Sequence, residues 1–317
     1  MAKCLLPVAS LCWGDLSPRG VRIWSWIFWL LSWPFLAGKR RVVRTNLRIA
    51  FPELAEGELE HLCQKNILHI LGMGLDWLHF LKHPEDATAR LDVSEEFRRE
   101  CSQANPQGKY PSALYCTLHL GNWEVASRLS YVTGRPGAVV VARFKLDFLN
   151  DLARRLRTEG DDTEVIPAHG AAYGVMRALM KGRNVGILID QNVSPRDGGI
   201  FRKFFGLPAT ASRLPAAIAR HLQVPVYVAS CIKDSSGRFH MEYESLEKDA
   251  WEYASDEELT GAIFAAYEQL IRRHPEQYLW SYTRWRYIPA NAKSAELGKY
   301  PFYASQKKYE CPEELLS

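Results

Sequence analysis

The sequence predicts an α/β fold: a mostly parallel sheet flanked by helices, preceded by an N-terminal membrane-associated helical segment. Three observations predict it. From about residue 112, short apolar runs of β-compatible residues alternate with amphipathic stretches, as in sheets built from strand–helix–strand units. Late in this region "PVYVASCIKD" and "GRFHMEYESLE" meet across a Ser-Ser-Gly turn, which adds an antiparallel pair. Near the start, "IWSWIFWLLSWPFLAG" (residues 23–38) carries no charge and then gives way to Lys39, Arg40 and Arg41.

The chain divides accordingly into an N-terminal membrane anchor segment (1–38), a helical membrane-proximal region (39–111), an α/β catalytic domain (112–292) and a polar C-terminal tail (293–317). The uncharged run is shorter than the roughly 20 residues that cross a hydrocarbon core, and it lacks the small-residue cleavage site of a signal peptide. Trp24, Trp26, Trp29 and Trp33, followed by the basic cluster, fit a helix at the headgroup boundary over anionic lipid. Helical pattern continues through "RRVVRTNLRIAF" and "ELEHLCQKNILHILGMGLDWLHFLK". In the latter, Asp76, His79 and His83 share a face. No glutamate base stands between the histidines as in HExxH, so no metal is expected.

In the α/β region the predicted strands are "SALYCTL", "GAVVVAR", "TEVIPA" and "NVGILID". The intervening helices are "EVASRLSYVTG", "LDFLNDLARRLRTEG", "AAYGVMRALMKG" and "ATASRLPAAIARHLQ". At 317 residues, 47% hydrophobic and 24% charged, the chain has the composition of an ordinary globular protein. A net charge of +4 without a zinc-finger or helix-turn-helix signature gives no support to nucleic-acid binding. The seven cysteines are scattered, odd in number and form no CxxC pair, which indicates reduced thiols. Cys116, three residues before His119, reads as a buried strand residue and not as a nucleophile.

Ligands of open α/β sheets gather where strands end and helices begin. His119 and Asp190 both stand at such ends. The Gly121-Asn122 pair allows a sharp turn that brings Glu124 into the first turn of a helix. A carboxylate on one imidazole nitrogen fixes the tautomer and makes the other a stronger base. Such a pair needs no enzyme serine if the hydroxyl belongs to the substrate.

"HLGNWE" resembles the His-x4-Asp/Glu signature of the lysophospholipid acyltransferase superfamily, and especially the bacterial lipid A biosynthesis (late) acyltransferase family. Collinear blocks extend the resemblance over residues 40–289: "NLRIAFPEL", "VVVARF" (Arg143-Phe144), "LARRLRTEG", "ALMKGRNVGILIDQN", "GIFRKFFGLPATAS" and "HPEQYLWSYTRWRYIP". The resemblance implies a glycerol-3-phosphate-acyltransferase-like mixed sheet at the cytoplasmic face of a bacterial inner membrane. It implies O-acyl transfer of the lauroyl/myristoyl type, from an acyl carrier protein or coenzyme A thioester to a lipid A precursor, without cofactor or metal. His119 would be the general base, oriented by Glu124, with no covalent acyl-enzyme. Arg157 would assist at an oxyanion or phosphate, with Arg155 a rival and Arg154 a third candidate. Asp190 would hold the arginine or position the catalytic loop. Substrate contacts would include Asn122, Arg143, Arg155, Gln191, Phe204, Phe205 and Arg284. The acyl groove would lie around Ile200, Phe204, Phe205, Leu207 and Pro208, with Arg202, Lys203, Arg284 and Arg286 meeting lipid phosphates or the carrier protein's acidic helix. Asn192 stands where many relatives carry aspartate, which bears on the acceptor. Alternatives are another glycolipid, aminolipid or lysophospholipid acceptor, a hydrolase, or a non-catalytic lipid-binding protein on the same fold.

Overall fold

A computed structural model describes residues 14–102, 110–143, 147–158 and 162–316. Cys4, Cys12 and Phe144, and the side chain of Arg155, lie outside the described residues.

Three helices come first. Helix α1, Pro18–Ser32, starts where the Ser17 side chain accepts from the Gly20 amide and proline takes the first helical position. A 3₁₀ turn, Trp33–Leu36, carrying Pro34, separates it from α2, Ala37–Ala50. A long α3, Glu56–Lys82, follows, then the short α4, Pro84–Ala89, and α5, Glu95–Ser102. No helix among the described residues is long and apolar enough to cross a membrane. The Trp-rich segment is divided in its contacts. Trp29 and Trp33 pack against the core, and Arg40 stacks on Trp33 at 4.0 Å. On the outer side of α1 and the turn, Ile23, Trp26, Ile27, Leu30 (68% exposed), Leu31 and Phe35 (87%) face outward, next to exposed Lys39, Arg41 and Arg44.

The sheet has seven strands in the order β1-β9-β8-β2-β5-β3-β4. These are β1 Leu91–Asp92, β2 Leu114–Gly121, β3 Gly137–Val141, β4 Thr163–Pro167, β5 Asn184–Leu188, β8 Val226–Lys233 and β9 Phe239–Ser245. Every neighbouring pair is parallel except β8–β9, the predicted late antiparallel pair. Strand β2 lies at the centre because it is apolar on both faces. Leu114, Cys116, Leu118 and Leu120 enter one core cluster, and Tyr115 enters the other. Around it stand α6 Trp123–Ala126, α7 Leu129–Thr133, α8 Asp147–Thr158, α9 Ala171–Met180, α10 Leu214–Leu222 and α11 Asp256–Arg273.

Two elements differ from the expectation. The helix expected over residues 124–134 is broken at Ser127-Arg128 into α6 and α7. The helix expected over residues 209–223 begins only at Leu214. The preceding residues form β7, Leu207–Ser212, antiparallel to β6, Gly199–Phe204. Helix-favouring Ala209 and Ala211 are overruled by the turn before them. Phe205 and Gly206 both have positive φ (50° and 74°), the signature of a tight two-residue hairpin. The hairpin then buries both alanines.

The N-terminal helices are fastened to the far end of the chain by buried asparagines. Asn46 of α2 donates to the carbonyls of Trp280 and Tyr282 at 2.7 and 2.8 Å, and Tyr303 Oη donates to its Oδ1. Asn66 of α3 donates to the carbonyls of Glu276 and Tyr278 at 3.0 and 2.6 Å. Removing such donors leaves buried carbonyls unpaired, which costs about 1–3 kcal/mol per group. Asn46→Leu is therefore expected to lower the unfolding free energy by an amount of about that size, read as a lower denaturant midpoint. A control change at exposed Gly57 should leave it in place.

Candidate active site

The site forms at the C-terminal ends of β2 and β5. Their parallel register pairs Thr117 with Leu188. Two residues further along each chain stand His119 and Asp190, on the same side of their strands by the two-residue period. The His119 ring Nδ1 donates to Asp190 Oδ1 at 2.7 Å, and the His119 backbone amide donates to Asp190 Oδ2 at 3.1 Å. One carboxylate therefore holds both the ring and the backbone of the histidine. The carboxylate hydrogen-bonded to the imidazole is thus Asp190, not Glu124 as the His-x4-Glu spacing led us to expect.

Glu124 is held elsewhere. Arg157 Nε and Nη2 donate to its two carboxylate oxygens at 3.0 and 2.7 Å, a bidentate fork between side chains that are both nearly buried. Of the three candidate arginines, Arg157 makes this contact, while Arg154 is exposed and 3.9 Å from Asp151. The turn between His119 and Glu124 depends on Gly121, whose φ is +68°. A Cβ there would lie 1.9 Å from the Cys231 carbonyl oxygen, so no other residue fits. Asn122 caps α6, its Oδ1 accepting from the amides of Glu124 and Val125 at 3.2 Å each. This sets the entry of Glu124 into the helix.

Gln191 Nε2 donates to His119 Nε2 at 3.2 Å, and Trp123 packs edge-on against the imidazole at 4.7 Å between centroids. With Nδ1–H given to Asp190, the Nε2 lone pair is the basic site, and the Gln191 amide occupies the place of an incoming donor. Burial disfavours the charged ring. The Asp190 carboxylate outweighs burial, and Glu124 adds to it from further off, so His119 holds its proton more tightly than an ordinary histidine. Burial acts to raise the Asp190 pKa, but the imidazole, its two hydrogen bonds and the charge of Arg284 keep it below the usual carboxylate range.

Several residues proposed to meet substrate are buried in the scaffold. Arg284 is 1% exposed. Its Nη1 donates to Asn192 Oδ1 and the Thr210 carbonyl, both at 2.7 Å, and its guanidinium lies 5.1 Å from the rings of Phe204 and Phe264. Thus Arg284 is placed behind Asp190 and cannot reach a lipid phosphate. Arg202 is likewise buried, bound to the carbonyls of Glu257 and Phe201, whereas Arg286 is exposed. Phe204 and Phe205 belong to an aromatic cluster with Phe51, Phe264, Trp280 and Trp285, inside the core. Asn192 uses its amide to hold the loop, donating to the Thr283 carbonyl at 2.9 Å. Burial pushes the Cys116 thiol up, which removes it as a nucleophile. Asp76 and His83, considered for metal, pair instead with Lys233 and Asp15.

Two small adjoining cavities run inward from the site, between the sheet and α6–α7. The first, about 60 Å³, has Trp123, Glu124, Arg157 and Leu188 at its outer end. The second, about 50 Å³, reaches Tyr115, Ala229 and Met241. They share Thr117, Ala126, Ser127, Val139 and Gly186, so they form one interrupted path. A separate surface cavity of about 260 Å³ at the ends of β3 and β4 is lined by Arg143, Arg154 and Arg157. The asparagine fasteners of the 276–282 loop, Asn46 and Asn66, were missed in the sequence. Their one signal was a polar residue among the apolar positions of an amphipathic helix, as Asn46 is between Val43, Leu47 and Ala50.

The sheet thus carries a histidine–carboxylate pair at its strand ends, a second carboxylate pinned by arginine and a path into the core. The chain matches the bacterial lipid A biosynthesis acyltransferase family over residues 21–287 and belongs to that family. It is similar to the lipid A biosynthesis palmitoleoyltransferase of Escherichia coli (strain K12), 23% identical over 293 residues, covering 91% of this chain and 89% of the relative. It has the same identity and coverage with the lipid A biosynthesis acyltransferase of Shigella flexneri. Ring-proton NMR provides the test of the electrostatics. The His119 titration is expected above the usual value near 6.5, and in Asp190→Asn it should fall, since burial then acts with less opposition.

Proposed function

We propose that the protein transfers a fatty acyl chain from a thioester donor to a hydroxyl of a lipid acceptor of the lipid A precursor class, with His119 as general base. The observation that carries this reading is the pairing of His119 Nδ1 with Asp190, which leaves Nε2 as a proton acceptor on a ring packed against Trp123, a residue that lines the inward path. The acceptor O–H gives its proton to Nε2 as its oxygen attacks the thioester carbonyl. Collapse of the tetrahedral species breaks the C–S bond, and the imidazolium returns the proton to the departing thiolate. Asp190 stabilises the imidazolium between these steps. No enzyme nucleophile is required.

In this reading Glu124 is a positioning residue together with Arg157, and its charge supports the protonated ring from a distance. Gln191 yields its place at Nε2 to the acceptor hydroxyl. The arginine-lined cavity beside Arg157 suits an anionic group, either the acceptor's phosphate or the acidic surface and phosphate of an acyl carrier protein or coenzyme A donor. The fatty chain is assigned to the path between the sheet and α6–α7, in place of the groove expected around Phe204. The exposed apolar stripe of α1 with its basic flank lies against the bilayer surface that supplies the acceptor.

Purified His119→Ala is expected to lose transfer by about a hundredfold or more while keeping its fold. Near-parental transfer by that variant would refute the mechanism. Because the neutral imidazole is the active form and its pKa is raised, kcat/KM should climb with pH through a midpoint above the usual histidine value of about 6.5. In Asp190→Asn that midpoint should move down and kcat should fall. Gly186 faces the shared part of the path, where a Cβ would make ordinary contact with Val139 at 3.7 Å. Gly186→Val should therefore shift the transferred chains to shorter lengths, read by mass spectrometry of the product lipid.

A further inference from the structure

A second cavity, of about 430 Å³, lies on the other side of the N-terminal helices, between α1, α3 and the β8–β9 turn. This volume falls in the range of about 300–1,000 Å³ common for small-molecule sites. Most of the charged groups around it are already engaged. Lys233 Nζ is bound by Asp76. Asp234 accepts from His240 at 2.8 Å, from the Ser236 hydroxyl at 2.7 Å, and from the amides of Ser236 and Arg238. Its inner wall includes His69, held neutral by burial with its pKa pushed down to about 4, and its Nε2 donates to the Gly121 carbonyl at 3.4 Å.

Three charges remain. Arg22 and Lys65, both exposed, have no ion-pair partner among the described residues. Among the described residues the Glu276 carboxylate accepts only from the neutral Gln277 amide, at 3.4 Å. Two uncommitted cations and one uncommitted carboxylate around a single cavity match a group that carries both an anion and an ammonium. The rim supplies the other half of the recognition. Trp26 lines the cavity and is half exposed, and from it the apolar stripe of Ile23, Ile27 and Leu30 runs outward along α1. A tryptophan between a charged recess and an apolar stripe is the disposition favoured at the headgroup boundary of a bilayer.

We infer that this cavity binds the phosphoethanolamine headgroup of a bilayer phospholipid. The phosphodiester meets Arg22 and Lys65, the ammonium meets Glu276, and the acyl chains lie along the α1 stripe beside Trp26. The site is distinct from that of acyl transfer and does not depend on it. It adjoins the turn at Gly121 through His69, whose Nε2 is bonded to the Gly121 carbonyl.

The full chain is released from lipid nanodiscs containing equal parts phosphatidylethanolamine and phosphatidylglycerol, and retained lipid is read by native mass spectrometry. The wild-type protein should keep one phosphatidylethanolamine in preference to phosphatidylglycerol. Arg22→Glu with Lys65→Glu should reduce that retention by about tenfold, the scale of losing charge-assisted hydrogen bonds. Glu276→Gln should retain phosphatidylglycerol at least as well as phosphatidylethanolamine, because only the cations then discriminate. Circular dichroism confirms that each variant is folded. If the double variant fails to fold, the lipid preference of Glu276→Gln decides. Equal retention of both lipids by the wild type, or unchanged preference in Glu276→Gln, overturns the assignment.

Discussion

The contact on which the site rests is the pair of hydrogen bonds from His119 to Asp190, made across two adjacent parallel strands. It requires β2 and β5 to hold their register to the residue. A slip by one would turn the imidazole and the carboxylate to opposite faces of the sheet. The register is secured along the buried length of both strands by Leu114, Cys116, Val185 and Ile187. The geometry of this pair and the hydrophobic packing are therefore one requirement here. The core fixes the strand ends, and the strand ends fix the tautomer of the ring.

Around this pair the second carboxylate has a different task. Glu124 enters through a turn that only glycine at 121 permits, is set in its helix by the Asn122 cap, and is gripped by Arg157. Its distance from the ring makes its effect on His119 electrostatic, without a shared proton. Behind Asp190, buried Arg284 adds its positive charge to the larger effect of His119 in keeping the carboxylate ionised despite its burial. The guanidinium is in turn desolvated, and its Nε and Nη2 have no hydrogen-bond partner among the described residues. That cost is offset by two short bonds from Nη1 and by the faces of two aromatic rings.

Strand–helix alternation was legible because β-compatible runs such as "GAVVVAR" differ in period from the helices between them. His119, Asp190 and Gln191 were legible as strand-end residues. What the sequence concealed was which carboxylate the ring would choose. Spacing along the chain favours Glu124, but Asp190 is 71 residues away in sequence and comes beside the ring only through strand order. Burial was hidden for a similar reason. "FRKFF" and "TRWR" read as basic and aromatic surface, yet Arg202, Phe204, Phe205 and Arg284 turn inward because a hairpin and a long helix cover them. The strand over Leu207–Ser212 was missed because its alanines favour helix, and the tight turn at Phe205-Gly206 carries no Asn-Gly or Asp-Gly signal.

The fastening of α2 and α3 to the 276–282 loop reaches further than stability. That loop bonds to the end of β2, where the Leu279 amide donates to the His119 carbonyl at 2.9 Å. The helices that follow the apolar stripe of α1 are thereby linked through this loop to the backbone of His119. Whatever surface receives the stripe is thus joined, through buried hydrogen bonds, to the strand end that carries His119. Under the proposed mechanism a substrate rooted in that surface is lifted to the ring, because the ring has no arm with which to descend.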